Sequence, residues 1–308
     1  VSSTPLPALH LLANCASGQG VGADIASLAA EVCAERGARL EVHPVARPRD
    51  LEMAARRAAE AARTGGGVVV AAGGDGTIRG VAQVLAGGEV PLAAVPVGTF
   101  NFFARNHHIP EEPRDALALA LDGVPQSVDL GEINGHVFLI NASLGLYARA
   151  IAEREQSTAR FGRNRLVVVA STVMSFLKGH PAVGLEIEAD GQITKVRTPM
   201  VFIGNNALQL RDVALDVAEC MRAGRLAVVV MRPVGTLGML RTTLNGLMRM
   251  LDRDESLQGF CADALIIRRR HWKMTVALDG ELFRLPTPLS VRRWQGALRL
   301  VKPRGAPP

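Results

Sequence analysis

Aromatic side chains are scarce in this chain. Its 308 residues include nine Phe, two Trp and one Tyr. That is too few for the stacked platforms that grip single-stranded nucleic acid, and no nucleic-acid partner is expected. Cysteine is also sparse: Cys15, Cys33, Cys220 and Cys261 lie far apart with no C-x-x-C spacing. The pattern predicts reduced thiols in a cytosolic protein, neither a disulfide frame nor a zinc site. Long hydrophobic runs are missing. The longest nearly apolar stretch, LVVVASTVMSFL at residues 166–177, falls short of the roughly 20 residues a membrane span needs, so no transmembrane segment is expected. The opening VSSTPLPALH has no basic region ahead of an apolar one, so no secretory signal is expected there.

What is present is apolar and mildly basic. A hydrophobic content of 48% against 21% charged residues describes a globular chain with ample core. Lys and Arg outnumber Asp and Glu by 35 to 29, a formal charge of +6, which suits a nucleotide or an acidic lipid surface. Much of the excess falls in IIRRRHWK (266–273) and VRRWQGALRLVKPRG (291–305), which read either as solvated strand edges or as contacts for headgroups.

Two textures divide the sequence. Residues 1–127 alternate β-like runs (ALHLLA, RLEVHPV, GVVVAA, VPLAAVPVG) with Ala-rich helical stretches, which predicts an α/β domain with a parallel sheet. Residues 128–289 are mostly strand-like and punctuated by Asn134-Gly135, Asp190-Gly191 and Asp279-Gly280, hairpin turns of an antiparallel β-sandwich. Helical segments are expected near 163–178 and 235–252, and the C-terminal segment 290–308 is free to pack back on the first domain. The Leu- and Met-rich stretch 236–254, with Arg241, Arg249 and Arg253, fits a helix lying on a bilayer as well as one packed on the sandwich.

Three strand ends in the first half finish in small, hydrogen-bonding residues: NCASGQG (14–20), GGDGT (73–77) and VGTFN (97–101). Glycine lets a phosphate approach the backbone, Ser and Thr add donors, and a following helix turns its positive end toward an anion. Loops after successive parallel strands converge on one crevice. Asp75 is out of place in an anion pocket unless a divalent cation lies between it and the phosphates; otherwise it caps the next helix.

In this combination the chain resembles the diacylglycerol kinase catalytic family, with its bacterial lipid kinase and sphingosine kinase relatives. The family's N-P-x-S-G-x-G, G-G-D-G-T, P-x-G-T-x-N-x-x-A-R and late D-G-E appear here, in order, as NCASGQG, GGDGT, PVGTFNFFAR and DGE (279–281). The resemblance implies an α/β nucleotide-binding domain and a β-sandwich lipid-substrate domain with the active site between them. It implies ATP phosphates against Asn14, Ser17, Gly18, Gly73, Gly74, Asp75, Gly76 and Thr77, with Thr99 nearby, and Asp75 holding Mg²⁺. Asp129, Asp279 and Glu281 would close over the cleft from the sandwich side. A lipid at the inner membrane face would be the substrate of a cytoplasmic, peripherally bound enzyme, and a homodimer stays open.

Departures are visible. Cys15 stands where the family has proline, Val45 where a nucleotide-contacting threonine is frequent, and Phe102 where Asp or His is frequent. Ala223 in CMRAGRL replaces an aspartate that in some bacterial members holds a structural Mg²⁺, so that site is expected to be lost. The Asp279/Glu281 pair reads in two ways. On an extended strand end, positions i and i+2 face one side, and two close carboxylates would raise one pKa and poise a base. Alternatively Asp-Gly makes a hairpin turn and Glu281 is solvated. An NAD kinase or other soluble-substrate kinase and a silent nucleotide-binding regulator are the competing functional readings. No N-E-x-x-x-x-R segment of the NAD kinase kind follows GGDGT.

Overall fold

The computed structural model describes residues 8–14, 21–145, 182–205, 220, 223–235, 238 and 256–305. They fall into two compact units, residues 1–130 with 294–308, and residues 131–293.

In the first unit, strand β1 (Ala8–Asn14) lies between β2 (Arg39–Val45) and β3 (Val68–Gly73), and β4 (Leu92–Pro96) follows β3, all parallel. β3 and β4 are apolar and almost wholly buried, as strands covered on both faces must be. β2 is the edge, largely exposed and interrupted by Pro44, features that discourage further strand pairing. Helix α1 (Val21–Glu35) packs with α5 (Pro113–Asp122), and α2 (Leu51–Gly65) with α3 (Asp75–Leu85). The face of α2 is alanine: Ala54, Ala55, Ala58 and Ala62 are buried. Small residues let it approach closely, so a Cβ on Gly80 of α3 would come within 2.6 Å of Leu51. The order β2-β1-β3-β4 reverses direction between β1 and β3, and in such sheets the crevice opens there, beyond the carboxyl ends of the strands.

The second unit is antiparallel. One sheet runs β12 (Leu257–Ala262), β11 (Leu226–Met231), β10 (Met200–Gly204), β7 (Asn141–Gly145), β14 (Lys273–Leu278), β15 (Glu281–Pro286). The other strands include β13 (Ala264–Arg268), β8 (Val183–Ala189) and β9 (Gln192–Thr198). The two sheets share one core, with Leu185, Ile187 and Ile267 against Val201, Val228 and Val276. β11 is covered on both sides: Leu226, Val228 and Val230 join that core, while Ala227, Val229 and Met231 face a second one. The α/β and antiparallel classes read from the sequence are both present.

The three Asx-Gly pairs expected to turn form two-residue hairpin turns with both residues at positive φ: Asn134 and Gly135 (48° and 83°), Asp190 and Gly191 (49° and 77°), Asp279 and Gly280 (49° and 88°). The first joins β5 (Val124–Ile133) to β6 (His136–Phe138), the second β8 to β9, the third β14 to β15. Positive φ at both positions matches the right-handed strand twist and favours Asn, Asp and Gly. The last strand, β16 (Leu289–Lys302), pairs antiparallel with β13 at its start and runs parallel to β4 at Leu300.

The expectation of four reduced thiols is corrected. Cys220 and Cys261 form a disulfide with Cα atoms 5.2 Å apart. Linear spacing hides it: Cys261 lies on β12 opposite Ala227 of β11, and Cys220 precedes β11, its carbonyl accepting the Arg225 amide at 2.7 Å. The cysteine argument for a reducing compartment therefore no longer holds. Cys33 is a buried free thiol, its pKa raised chiefly by burial, and Cys15 lies outside the described residues. So do the expected helical segment 163–178 and nearly all of 235–252, including the amphipathic stretch.

Candidate functional site

The loops after β3 and β4 are welded together. β3 ends at Gly73, whose carbonyl accepts the Val97 amide at 3.1 Å. Gly74 is the N-cap of α3, and its carbonyl takes the Ile78 amide at 3.1 Å. Glycine is required here on packing grounds. A Cβ on Gly73 would fall 2.5 Å from Thr77, and one on Gly98 would fall 2.6 Å from the Gly74 Cα.

Asp75 reaches across this contact. Its Oδ2 accepts the Phe102 amide at 3.2 Å and its Oδ1 the Phe103 amide at 3.1 Å, with the Asn101 amide a third partner. It thus caps α4 (Phe102–Asn106), a helix from the other loop, and not the helix it begins. Burial raises its pKa above the usual carboxylate value, and the three amides pull the other way. Asn101 completes the join from a left-handed conformation, φ 51°. Its Oδ1 accepts the Gly98 amide at 3.0 Å and its Nδ2 donates to the Gly98 carbonyl at 3.2 Å. Sequence reasoning did not single out Asn101; a buried Asn two residues after Gly-Thr was the available signal. Thr99 and Phe100 are exposed beside it, and Phe100 stacks on Phe102 with ring planes 6° apart.

Thus Gly73, Gly74, Asp75, Gly76, Thr77 and the loop bearing Thr99 are brought together at the end of the parallel sheet. Asn14 ends β1 in register with Val45; its side chain, Ser17 and Gly18 lie outside the described residues.

The other three carboxylates differ from expectation. Asp129 lies on β5 within the first unit, not on the sandwich side, and its Oδ1 accepts the Gly296 amide at 2.6 Å. Asp279 sits in a turn, not on an extended strand, so the i, i+2 argument for a shared face fails. Its carboxylate accepts the amides of Leu139, Ile140 and Asn141 at 2.7, 2.8 and 3.0 Å. Glu281 opens β15 and is exposed. Asn205 supports the same bend, donating to the Leu139 carbonyl at 3.3 Å through Nδ2.

The chain is similar to known lipid kinases. The family described as "Diacylglycerol kinase catalytic domain" matches residues 8–133. A "Probable lipid kinase YegS-like" of Pseudomonas aeruginosa is 33% identical over 265 residues, 80% of each chain. Its namesake from Pseudomonas putida is 31% identical, covering 82% of this chain and 83% of its own. Among solved structures, a diacylglycerol kinase from Bacillus anthracis superposes with a TM-score of 0.73 at 20% identity, covering 97% of both chains; at that identity the likeness speaks for the fold.

Proposed function

The chain belongs to the diacylglycerol kinase catalytic domain family, and from that premise we propose that it transfers a phosphoryl group from ATP to a hydroxyl of diacylglycerol or a related lipid. The observation that carries the proposal is the pair of glycine loops joined through Asp75 at the carboxyl ends of β3 and β4, next to the switch point between β1 and β3. The amino end of α3 offers backbone N–H groups and a positive dipole end to phosphate. Gly74 leaves that approach open, since a Cβ there would meet only the Gly98 Cα, at 3.4 Å.

Phosphoryl transfer asks the protein mainly to position the reactants and neutralise charge. Mg²⁺ would come with the nucleotide and offset the phosphate charge. Asp75 fits it: a carboxylate has about four lone-pair sites, and three accept amides, leaving one for a largely hydrated ion. If the phosphates alone hold the ion, that remaining site, on a carboxylate whose pKa is raised by burial, suits accepting the proton of the attacking hydroxyl instead. We keep Asp75 in a catalytic role and assign Asp279 to positioning, because its oxygens hold the bend at Leu139–Asn141.

Contact with a lipid surface rests on the second unit. Between β13 and β14, Trp272 is 72% exposed, Lys273 Nζ lies 4.1 Å from its ring centre, and Arg270 and His271 are exposed. An open groove of about 450 Å³ on the same unit is lined by Lys195, Arg197, Arg268, Arg269 and Arg270, with Glu186 the one acidic residue among them. An exposed aromatic ring with a cation over its face, next in sequence to other basic residues, fits an anionic headgroup layer. Peripheral contact at the inner membrane face is the mode we propose on these basic and aromatic residues; among the described residues no helix is long and apolar enough to cross a membrane.

The test is incubation with γ-labelled ATP, Mg²⁺ and a total lipid extract. Label should enter a lipid, and Asp75→Asn should lower kcat by roughly 10²-fold or more with ATP affinity nearly kept. Label in NAD and in no lipid overturns the substrate class.

A further inference from the structure

We propose that His10, Glu41 and His43 form a binding site for a transition metal of the zinc class. The site lies on the edge pair of the first unit's sheet. β1 and β2 are parallel with His10 opposite Glu41, and His43 follows two residues on along β2, so all three side chains share one face.

The geometry is that of ligands around a common centre. His10 Nδ1 lies 3.3 Å from Glu41 Oε2, and His43 Nε2 lies 3.5 Å from Glu41 Oε1. One donor atom from each residue falls within 4.8 Å of the others. Ligands about 2.0–2.1 Å from a tetrahedral Zn²⁺ stand roughly 3.3–3.4 Å from one another.

Hydrogen bonding alone leaves the cluster unexplained. Both histidine side chains are at least nine-tenths buried, at 5% and 10% exposure. His10 Nδ1 and His43 Nε2 are buried nitrogens without a hydrogen-bond partner. On its other side, His10 Nε2 is 3.3 Å from the Gly66 carbonyl oxygen. A carbonyl only accepts, so Nε2 carries the hydrogen. In the tautomer with that single hydrogen, the Nδ1 lone pair is on the side of the Glu41 carboxylate, 3.3 Å away, and a cation between the two atoms would be held by both. A ring N–H donated to a backbone carbonyl is also the outer-shell contact that orients metal-ligating histidines.

Two imidazoles and one carboxylate select Zn²⁺, Co²⁺ or Ni²⁺ over Mg²⁺ or Ca²⁺, which prefer all-oxygen shells. Glu41 is 58% exposed, so water can fill a fourth position. The site is on the amino-terminal half of β1, whereas the glycine loops follow the carboxyl ends of β3 and β4. It is therefore independent of the proposed Mg-ATP chemistry. The metal would pin the exposed edge strand β2 to β1.

The experiment uses the full chain, stripped with a chelator and titrated with Zn²⁺ by calorimetry and with Co²⁺ by visible spectroscopy. The expected result is roughly one equivalent bound, tetrahedral Co²⁺ bands and a higher Tm with Zn²⁺. Millimolar Mg²⁺ should not compete. Glu41→Gln, at an exposed position that leaves the metal-free fold intact, should weaken Zn²⁺ at least ~10-fold and remove the Co²⁺ bands; His43→Asn should do the same. Unchanged affinity in both variants, no Zn²⁺ uptake by the parent, or displacement by Mg²⁺ overturns the proposal.

Discussion

Asp279 and Asp75 each hold three backbone amides, and a substitution tells whether such an aspartate is structural or chemical. In Asp279→Asn the left-handed backbone is tolerated and one oxygen survives, but an NH₂ now faces amides that need an acceptor. We expect a loss of about 1–3 kcal/mol in urea melts, with activity falling in step. Glu281→Gln, exposed at the start of β15, should stay within about 0.5 kcal/mol. A drop in kcat at unchanged stability for either variant would restore the base assignment. For Asp75 the readout is pH. Burial raises its folded pKa above the ordinary 3.8, so the native state holds the proton more tightly than the unfolded chain. Its contribution to stability is fully present below the ordinary value and is lost as pH rises through the folded one. The Tm difference between parent and Asp75→Asn should therefore be most favourable to the parent in acid and shrink as pH rises. A difference constant across that window contradicts the assignment.

At the level of elements, Gly98 in the loop after β4 should be less tolerant of a side chain than Gly74 in the loop after β3. A Cβ at Gly98 would meet the Gly74 Cα at 2.6 Å and Asn101 Oδ1 at 2.8 Å, while one at Gly74 meets only ordinary contact at 3.4 Å. Gly98→Ala should cost about 1–3 kcal/mol and Gly74→Ala under about 1 kcal/mol, as read from chemical denaturation. Equal costs would mean the loops are not in contact in solution. The elements themselves were legible: Ala-rich helices, β-branched buried strands and Asx-Gly turns are local signals with fixed periods. The links between elements were not. Asp75 meets amides 27 and 28 residues away, and Cys220 meets Cys261 across 41 residues. Such contacts leave no trace in periodicity. His10, Glu41 and His43 become neighbours only when the register of a parallel pair is known.

Across the whole molecule, the basic excess is unevenly used. Arg268 is paired with Glu188 at 2.7 Å, while Arg270 and Trp272 are exposed at the turn that follows. If that turn meets a membrane, Arg270→Ala should weaken binding to anionic vesicles by about 1 kcal/mol, roughly fivefold, and added salt should erase the difference. The Trp272→Ala deficit should persist in salt, because burial of an indole is not screened. Co-sedimentation at two ionic strengths separates them, and salt-insensitive loss in both would remove electrostatics from the account. The sequence placed positive charge here but could not say which cations were already neutralised, since that depends on the β8–β13 pairing. One further consequence comes from β16. Leu298, Leu300 and Val301 are buried in the first unit, yet they emerge from the ribosome after all of residues 131–293. The second unit is contiguous and can be complete while the first still lacks a strand. Domains on a nascent chain ordinarily mature from the amino end; here the glycine loops rest on a sheet whose last strand is synthesised after the whole second unit.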